Sequence, residues 1–226
     1  ASTSPQFGRS ALDAVELMNV GVNYLREHVP EDTRIHYVVT AGGDQPNVVP
    51  ANASSWYYVR ADRHQSVEQV WARIVDIARG AALMTGTTMS HVVDGDSHEV
   101  LPNRALAQLI DANLRRVGPP RFDDADRAFA RETQKDLGAA FDRALFEDID
   151  PVPAEPGQGM HSTDQGDLSW HVPTGSLMVA SYAFGAPGHS WQVAAATGTP
   201  IGDKAMDVAA RTLAATGFDL MTQPDL

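Results

Sequence analysis

The chain has 226 residues, 43% hydrophobic and 20% charged, a globular composition with room for one large domain or two small ones. Its 17 Lys and Arg against 29 Asp and Glu give a net charge of −12, which repels phosphate backbones and speaks against nucleic acid and anionic membrane as partners. Cysteine is absent, which removes disulfides, thiolate zinc sites and cysteine nucleophiles, so any metal must be held by nitrogen and oxygen. No apolar run approaches the roughly 18 residues of a membrane span, and no signal-peptide pattern is read, so the expected compartment is the cytoplasm.

In chain order, residues 10–29 carry the apolar Leu12, Val15, Leu17, Met18, Val20, Val22 and Leu25, with spacings of three and four dominating, an amphipathic helix that Pro30 closes. Residues 34–40 carry Ile35, Tyr37, Val38 and Val39 and read as a strand. Alternation puts His36 on the face opposite Ile35 and Tyr37, an outward polar position. Gly42-Gly43-Asp44 is a turn, and Asn47-Val48-Val49-Pro50 an extended segment. A second strand over residues 54–61 and a second helix over 66–85 follow, and residues 87–93 are expected to be a third strand.

The order helix, strand, strand, helix, strand becomes βαββαβ, the ferredoxin-like arrangement, once one strand is added in front. Without that leading strand a sheet edge stays unpaired, and the first domain is expected to lack its first strand. The boundary falls near residues 94–103. Beyond it, residues 103–117 and 122–145 read as helices, 150–159 as a Pro- and Gly-rich loop, 176–182 as a strand and 201–220 as an alanine-rich helix.

Two loops carry candidate chemistry. One is Met160-His161-Ser162-Thr163-Asp164-Gln165-Gly166-Asp167, richer in polar groups than a surface turn requires, although Asx-type turns would account for it. The other is Gly185-Ala186-Pro187-Gly188-His189-Ser190-Trp191, directly after an expected strand, where α/β folds place functional side chains. There His189 is a candidate nitrogen ligand for a divalent metal. A serine hydrolase built on Ser190, His189 and Asp164 fits poorly. There is no G-x-S-x-G elbow, and adjacent side chains in an extended turn point apart, out of the reach a nucleophile and its base need. Neither a phosphate-binding loop nor a G-x-G-x-x-G is present. In the first domain, Asn47 reads either as a turn former or as an amide donor to a ligand carbonyl. Arg60 reads either as an edge-strand charge or as a fork for a carboxylate.

Four segments in this order, Gly8-Arg9-Ser10-Ala11-Leu12-Asp13-Ala14, Asn47-Val48-Val49-Pro50 with Arg60, Ser162-Thr163-Asp164-Gln165-Gly166-Asp167 and Pro187-Gly188-His189-Ser190-Trp191, resemble the co-catalytic metallo-aminoacylase and carboxypeptidase family. The likeness is strongest to its branch that hydrolyses aminobenzoyl-glutamate. The resemblance implies an α/β fold: a partial βαββαβ lid and dimerisation domain over residues 1–97, then the C-terminal part of an α/β catalytic domain over residues 98–226. It implies hydrolysis of N-acyl amino acids, a homodimer formed through the lid, and two divalent ions, zinc or manganese.

Residue by residue, the resemblance makes His189 a metal ligand and makes Asn47 and Arg60 substrate contacts. It places Ser162, Thr163 and Asp164 near the site. The family's H-x-D motif, its paired glutamates including the general base, and its lid histidine have no match here, and His161 stands where a glycine is expected before Ser-Thr-Asp. The resemblance therefore implies an incomplete site, inactive alone, with no catalytic residue in this chain and an N-terminal catalytic segment as a required partner. The alternative is a non-catalytic dimerisation or ligand-binding module derived from that family.

Overall fold

A computed structural model describes residues 4–157 and 162–223. The chain forms two compact units. Among the described residues, the first comprises residues 4–100 and 162–167, and the second comprises residues 101–157 and 168–223.

In the first unit, α1 (Ala11–Leu25) begins at Ser10, whose hydroxyl accepts the Asp13 amide at 3.1 Å. Its buried residues are Val15, Asn19, Val22 and Leu25; Val15, Val22 and Leu25 belong to the apolar set read from the sequence, whereas Leu17 and Val20 of that set are exposed and Asn19 was not in it. A 3-10 turn, Arg26–His28, extends it. β1 (Arg34–Ala41) and β2 (Ser54–Arg60) pair antiparallel, with Ile35 opposite Val59, Tyr37 opposite Tyr57 and a bulge between Val39 and Ala41. The inward face of this hairpin carries Ile35, Tyr57 and Val59. The outward face carries His36, Val38, Trp56 and Tyr58, all exposed, so His36 lies where alternation puts it.

α2 (His64–Thr85) packs along α1. The helices close on each other at Gly21, where a Cβ would meet the Ile77 side chain at 2.7 Å. Val22, Leu25, Ile35, Val70 and Ile74 form the buried core. α2 ends at Gly86, whose φ of 65° is the left-handed cap that glycine adopts without strain.

The expected third strand does not form. Residues 87–93 carry neither helix nor strand, and among the described residues the sheet has two strands. Their β-branched composition describes a half-buried surface, but a strand exists only where a neighbour completes its ladder. In the split arrangement the last strand pairs with the first, not with the central hairpin.

In the second unit, α3 (Arg104–Val117) starts at Asn103, which accepts the Leu106 amide, and ends at Gly118. α4 (Asp124–Gln134) has a capping box in which Asp123 and Asp126 each accept the other's amide. The helix expected to run to residue 145 stops at a 3-10 turn, Lys135–Leu137, followed by Gly138 at φ 68°. The strand expected over residues 176–182 is also absent as regular structure. α5 (Gln165–Ser169) begins within the polar loop read from the sequence, its first three residues belonging to the first unit, and α6 (Trp191–Thr197) begins at the last residue of the Gly-rich turn. α7 (Pro200–Thr222) is capped by Thr199, begins with proline at its first position and packs on α3.

The apolar core of this unit holds Phe122, Ala130, Leu145, Ala183 and Ile201. Polar ties complete it. The buried Asn113 amide donates to Asp219 at 2.9 Å and to Thr216 at 3.3 Å, and Lys204 of α7 donates to Asp123 at 2.9 Å and to Asp126 of α4.

Ile74 is fully buried at the centre of the first unit. Ile74→Ala is expected to destabilise that unit by about 2–5 kcal/mol, the cost of lost transfer energy plus a cavity. Urea denaturation followed by fluorescence of the neighbouring Trp71 measures it.

Candidate functional site

The first unit contains a cavity of about 1720 Å³. Every residue of β2 lines one side of it. α1 contributes Val15 and Met18, α2 contributes Trp71, Ile74 and Ala78, and residues 86–97 form a further wall. The mouth is charged: Glu68, Asp94, Asp96, Asp164 and Asp167 stand against Arg9 and Arg60. The aromatic lining has fixed polar ends. Tyr57 donates its hydroxyl to Asn19 of α1, and burial pushes its phenol well above the usual range, so it is a neutral donor at any working pH.

Four of the residues singled out in the sequence line this cavity: Arg60, Ser162, Thr163 and Asp164. Arg60 is the exposed last residue of β2, opposite Arg34. The Thr163 hydroxyl accepts the Gln165 amide at 3.2 Å and its carbonyl accepts the Gly166 amide at 3.4 Å, a turn that fixes the approach to α5. Asn47 is exposed in the turn after β1 and is not part of the lining. His161 lies outside the described residues.

His189 belongs to the second unit, exposed, one residue before the Ser190 cap of α6. Its φ of 60° is in the left-handed region, strained for a side chain with a Cβ. Ser190 uses its hydroxyl to accept the Val193 amide at 3.5 Å, the task of a helix cap. Among the described residues no three His, Asp or Glu side chains converge as metal ligands do. Tight sites take three or four protein ligands. The described residues therefore do not make a metal centre, and His189 could supply at most one ligand to a centre completed elsewhere.

One constellation was not read from the sequence. The imidazoles of His64 and His98 stack with centroids 4.0 Å apart and rings 24° from parallel. Nε2 of His64 lies 2.7 Å from Asp96, and its backbone amide donates to Glu99 at 2.9 Å. Nδ1 of His98 and its backbone amide both lie 2.8 Å from Oδ1 of Asp167. A Cβ at residue 166 would fall 1.8 Å from the His98 carbonyl oxygen, so glycine is required there. The cluster ties the start of α2, residues 96–99 and the Ser162–Asp167 stretch to one rim of the cavity. The sequence signal was slight: Asp94-Gly95-Asp96-Ser97-His98-Glu99 reads as a polar linker, and His64 is 34 residues away.

The hydrogen bond that the His64 imidazole donates to the Asp96 carboxylate raises the His64 pKa above its ordinary value. The His98 amide and imidazole lower that of Asp167, and the His64 amide lowers that of Glu99.

Comparison with known proteins sets this geometry in context. Residues 1–84 match the peptidase dimerisation domain family. Over the whole chain there is 36% identity, in an alignment of 251 positions, to one of the subunits of p-aminobenzoyl-glutamate hydrolase from Escherichia coli (strain K12). The chain spans 52% of that protein, about half its length. Xaa-Arg dipeptidases of Mus musculus and Homo sapiens are each 30% identical over 121 residues, covering 52% of this chain and 28% and 27% of theirs.

The sign of each shift sets a pH window. The raised His64 stabilises the folded state below about 6.5, and that contribution is lost as pH rises through the raised value. The lowered Asp167 and Glu99 stabilise it above the ordinary carboxylate range, lost as pH falls through their lowered values. The cluster is fully held between roughly pH 4.5 and 6.5. Thermal melting of the wild type against pH is expected to decline above this window, and His64→Gln to flatten that decline. The His64 ring protons, followed by NMR, are expected to titrate above the ordinary histidine value in the wild type and to move back in Asp96→Asn.

Proposed function

Because the chain is related along its entire length to a component of p-aminobenzoyl-glutamate hydrolase, we propose that it forms part of an amidohydrolase that cleaves the amide bond of N-acyl amino acids, with aminobenzoyl-glutamate-like compounds as the substrate class. The end-to-end identity carries this reading. The dipeptidase relatives point to the same bond type.

In this reading residues 1–97 are the lid and dimerisation domain, and residues 98–226 are the C-terminal part of the catalytic domain. The working form is a homodimer through the lid, in the cytoplasm. No helix among the described residues is long and apolar enough to cross a membrane. The general base and most metal ligands come from a segment outside residues 1–226, and the metals are zinc or manganese.

What this chain contributes is binding and orientation. Arg60, exposed at the end of β2 and lining the cavity, forks onto the amino-acid carboxylate with two parallel N–H···O bonds. Ser162 and Thr163 lie along the same lining and offer hydroxyls to the acyl side, and the Asn47 amide is a second substrate contact. Holding the carboxylate places the scissile carbon at a fixed distance from the clamp, the positioning share of catalysis. His189 supplies one imidazole to the metal centre.

The test is hydrolysis of p-aminobenzoyl-glutamate by the chain expressed together with the sequence its gene encodes ahead of Ala1. Turnover that neither part shows alone is the expected result, and absence of turnover with metal supplied counts against the reading. In the assembled enzyme, Arg60→Lys is expected to raise KM by about tenfold, since an ammonium cannot reproduce the fork. His189→Ala is expected to lower the metal content of each protomer, measured by elemental analysis, with the far-ultraviolet circular dichroism unchanged.

A further inference from the structure

The outward face of the β1–β2 hairpin is graded along its length. Alternation and register put three cross-strand rows on it: Arg34 opposite Arg60, His36 opposite Tyr58, and Val38 opposite Trp56. All six residues are exposed. Directly opposed side chains stand about 5 Å apart at Cβ, and successive rows about 7 Å apart along the strands. The face therefore runs from two guanidinium groups to an aromatic end over about 14 Å.

Neither end suits a surface that meets only water. Like charges directly opposite each other destabilise a strand pair. The chain has 29 Asp and Glu, yet among the described residues neither Arg34 nor Arg60 forms an ion pair. Nη1 of Arg34 donates to the carbonyls of Glu31 at 2.6 Å and Thr33 at 2.8 Å, which steadies its side chain at the start of β1. At the other end the rings of Trp56 and Tyr58 have centroids 5.2 Å apart and planes 58° from parallel, forming an open aromatic corner. Trp56 is 48% exposed and Tyr58 56%. Trp56, Tyr58 and Arg60 all line the cavity.

We propose that this face selects the substrate: Arg34 joins Arg60 to hold the two carboxylates of a dicarboxylic amino acid, and the corner of Trp56 and Tyr58 receives the aromatic ring of its acyl group. The proposal rests on the amidohydrolase reading for the bond that is cut, and adds the residues that choose the two ends of the molecule. An N-aroyl amino acid is about as long as two to three residues of extended chain, roughly 7–11 Å. With its carboxylates on the arginine row, its ring falls over the aromatic rows. The carboxylates gain charge-assisted hydrogen bonds, and the ring gains offset or edge-to-face contact.

The probe is p-aminobenzoyl-glutamate, titrated by calorimetry into the chain assembled with the sequence its gene encodes ahead of Ala1. A chelator is present, so that binding is read without turnover. Saturable binding of one molecule per protomer is expected. N-acetyl-glutamate lacks the ring and p-aminobenzoyl-glutamine lacks the second carboxylate, and each is expected to bind at least about tenfold more weakly. Trp56→Ala is expected to cost p-aminobenzoyl-glutamate about tenfold more affinity than it costs N-acetyl-glutamate, and Trp56→Phe to restore most of that loss. Arg34→Gln is expected to cost p-aminobenzoyl-glutamate about tenfold more than it costs p-aminobenzoyl-glutamine. General damage to the fold does not produce losses that follow one end of the ligand. No binding, equal affinity for the three compounds, or equal losses across them overturns the proposal. Shielding of the Trp56 indole N–H from solvent exchange in a ligand-free dimer also overturns it, since a second copy would then cover the face. Hydrolysis with metal supplied is read separately. The selective losses without any hydrolysis support the selecting face and overturn the catalytic reading, whereas hydrolysis without the selective losses overturns the selecting face alone.

Discussion

The first unit is governed by a mismatch of widths. Two helices side by side, each about 10 Å across, need roughly 20 Å of sheet to cover them. Two strands at about 4.8 Å spacing supply half of that. α1 and α2 bury Val22, Leu25, Val70 and Ile74 against Ile35 of the hairpin, and there the packing is complete. Beyond the edge of β2 no further strand stands among the described residues, and the uncovered helix faces become the cavity floor. The size of the cavity, its apolar base and the irregular run of residues 87–97 all follow from this shortage of strands. The functional candidates cluster there for the same reason: Arg60 and Ser162–Asp164 lie along an opening the fold leaves.

The second unit is held differently. Its core is small and alanine-rich, and its helices are registered by polar contacts. Asn113 of α3 grips Asp219 and Thr216 of α7, while Lys204 at the other end of α7 meets Asp123 and Asp126 at the start of α4. Those two carboxylates raise the Lys204 pKa, and Lys204 in turn holds Asp123 below the usual carboxylate range. Such contacts add little net free energy, because desolvation offsets most of the attraction, but a shifted helix would strand buried polar atoms. They fix which turn of α7 faces α3.

The parts legible in the sequence were those whose signal is local. The three-and-four spacing in α1 and α2 and the aromatic and β-branched runs of β1 and β2 each depend on residues within a turn or two. What failed depended on a distant partner. Residues 87–93 and 176–182 have the composition of strands, yet pairing decides strands, and among the described residues neither has a strand neighbour. The helix ending at Gln134 instead of residue 145 reflects Gly138 and the bend after it, which the charged, helix-favouring composition masked. The cavity lining was half visible. A loop crowded with hydroxyls and carboxylates marked Ser162–Asp164, and a cation on a strand marked Arg60. The stacked histidines could not be seen, because His64 and His98 become neighbours only when α2 turns the chain back.

The first unit is also discontinuous: residues 162–167 return to it after the chain has entered the second. Asp167 is bound to His98, and Gly166 sits so close beneath that residue's carbonyl that no side chain fits. The polypeptide thus crosses from one body to the other more than once, as a thread passed through two layers of cloth. A cut made at the obvious seam near residue 100 would not release two intact halves. It would strip the front half of the loop that closes one rim of its cavity, so any dissection of this protein must keep that returning stitch.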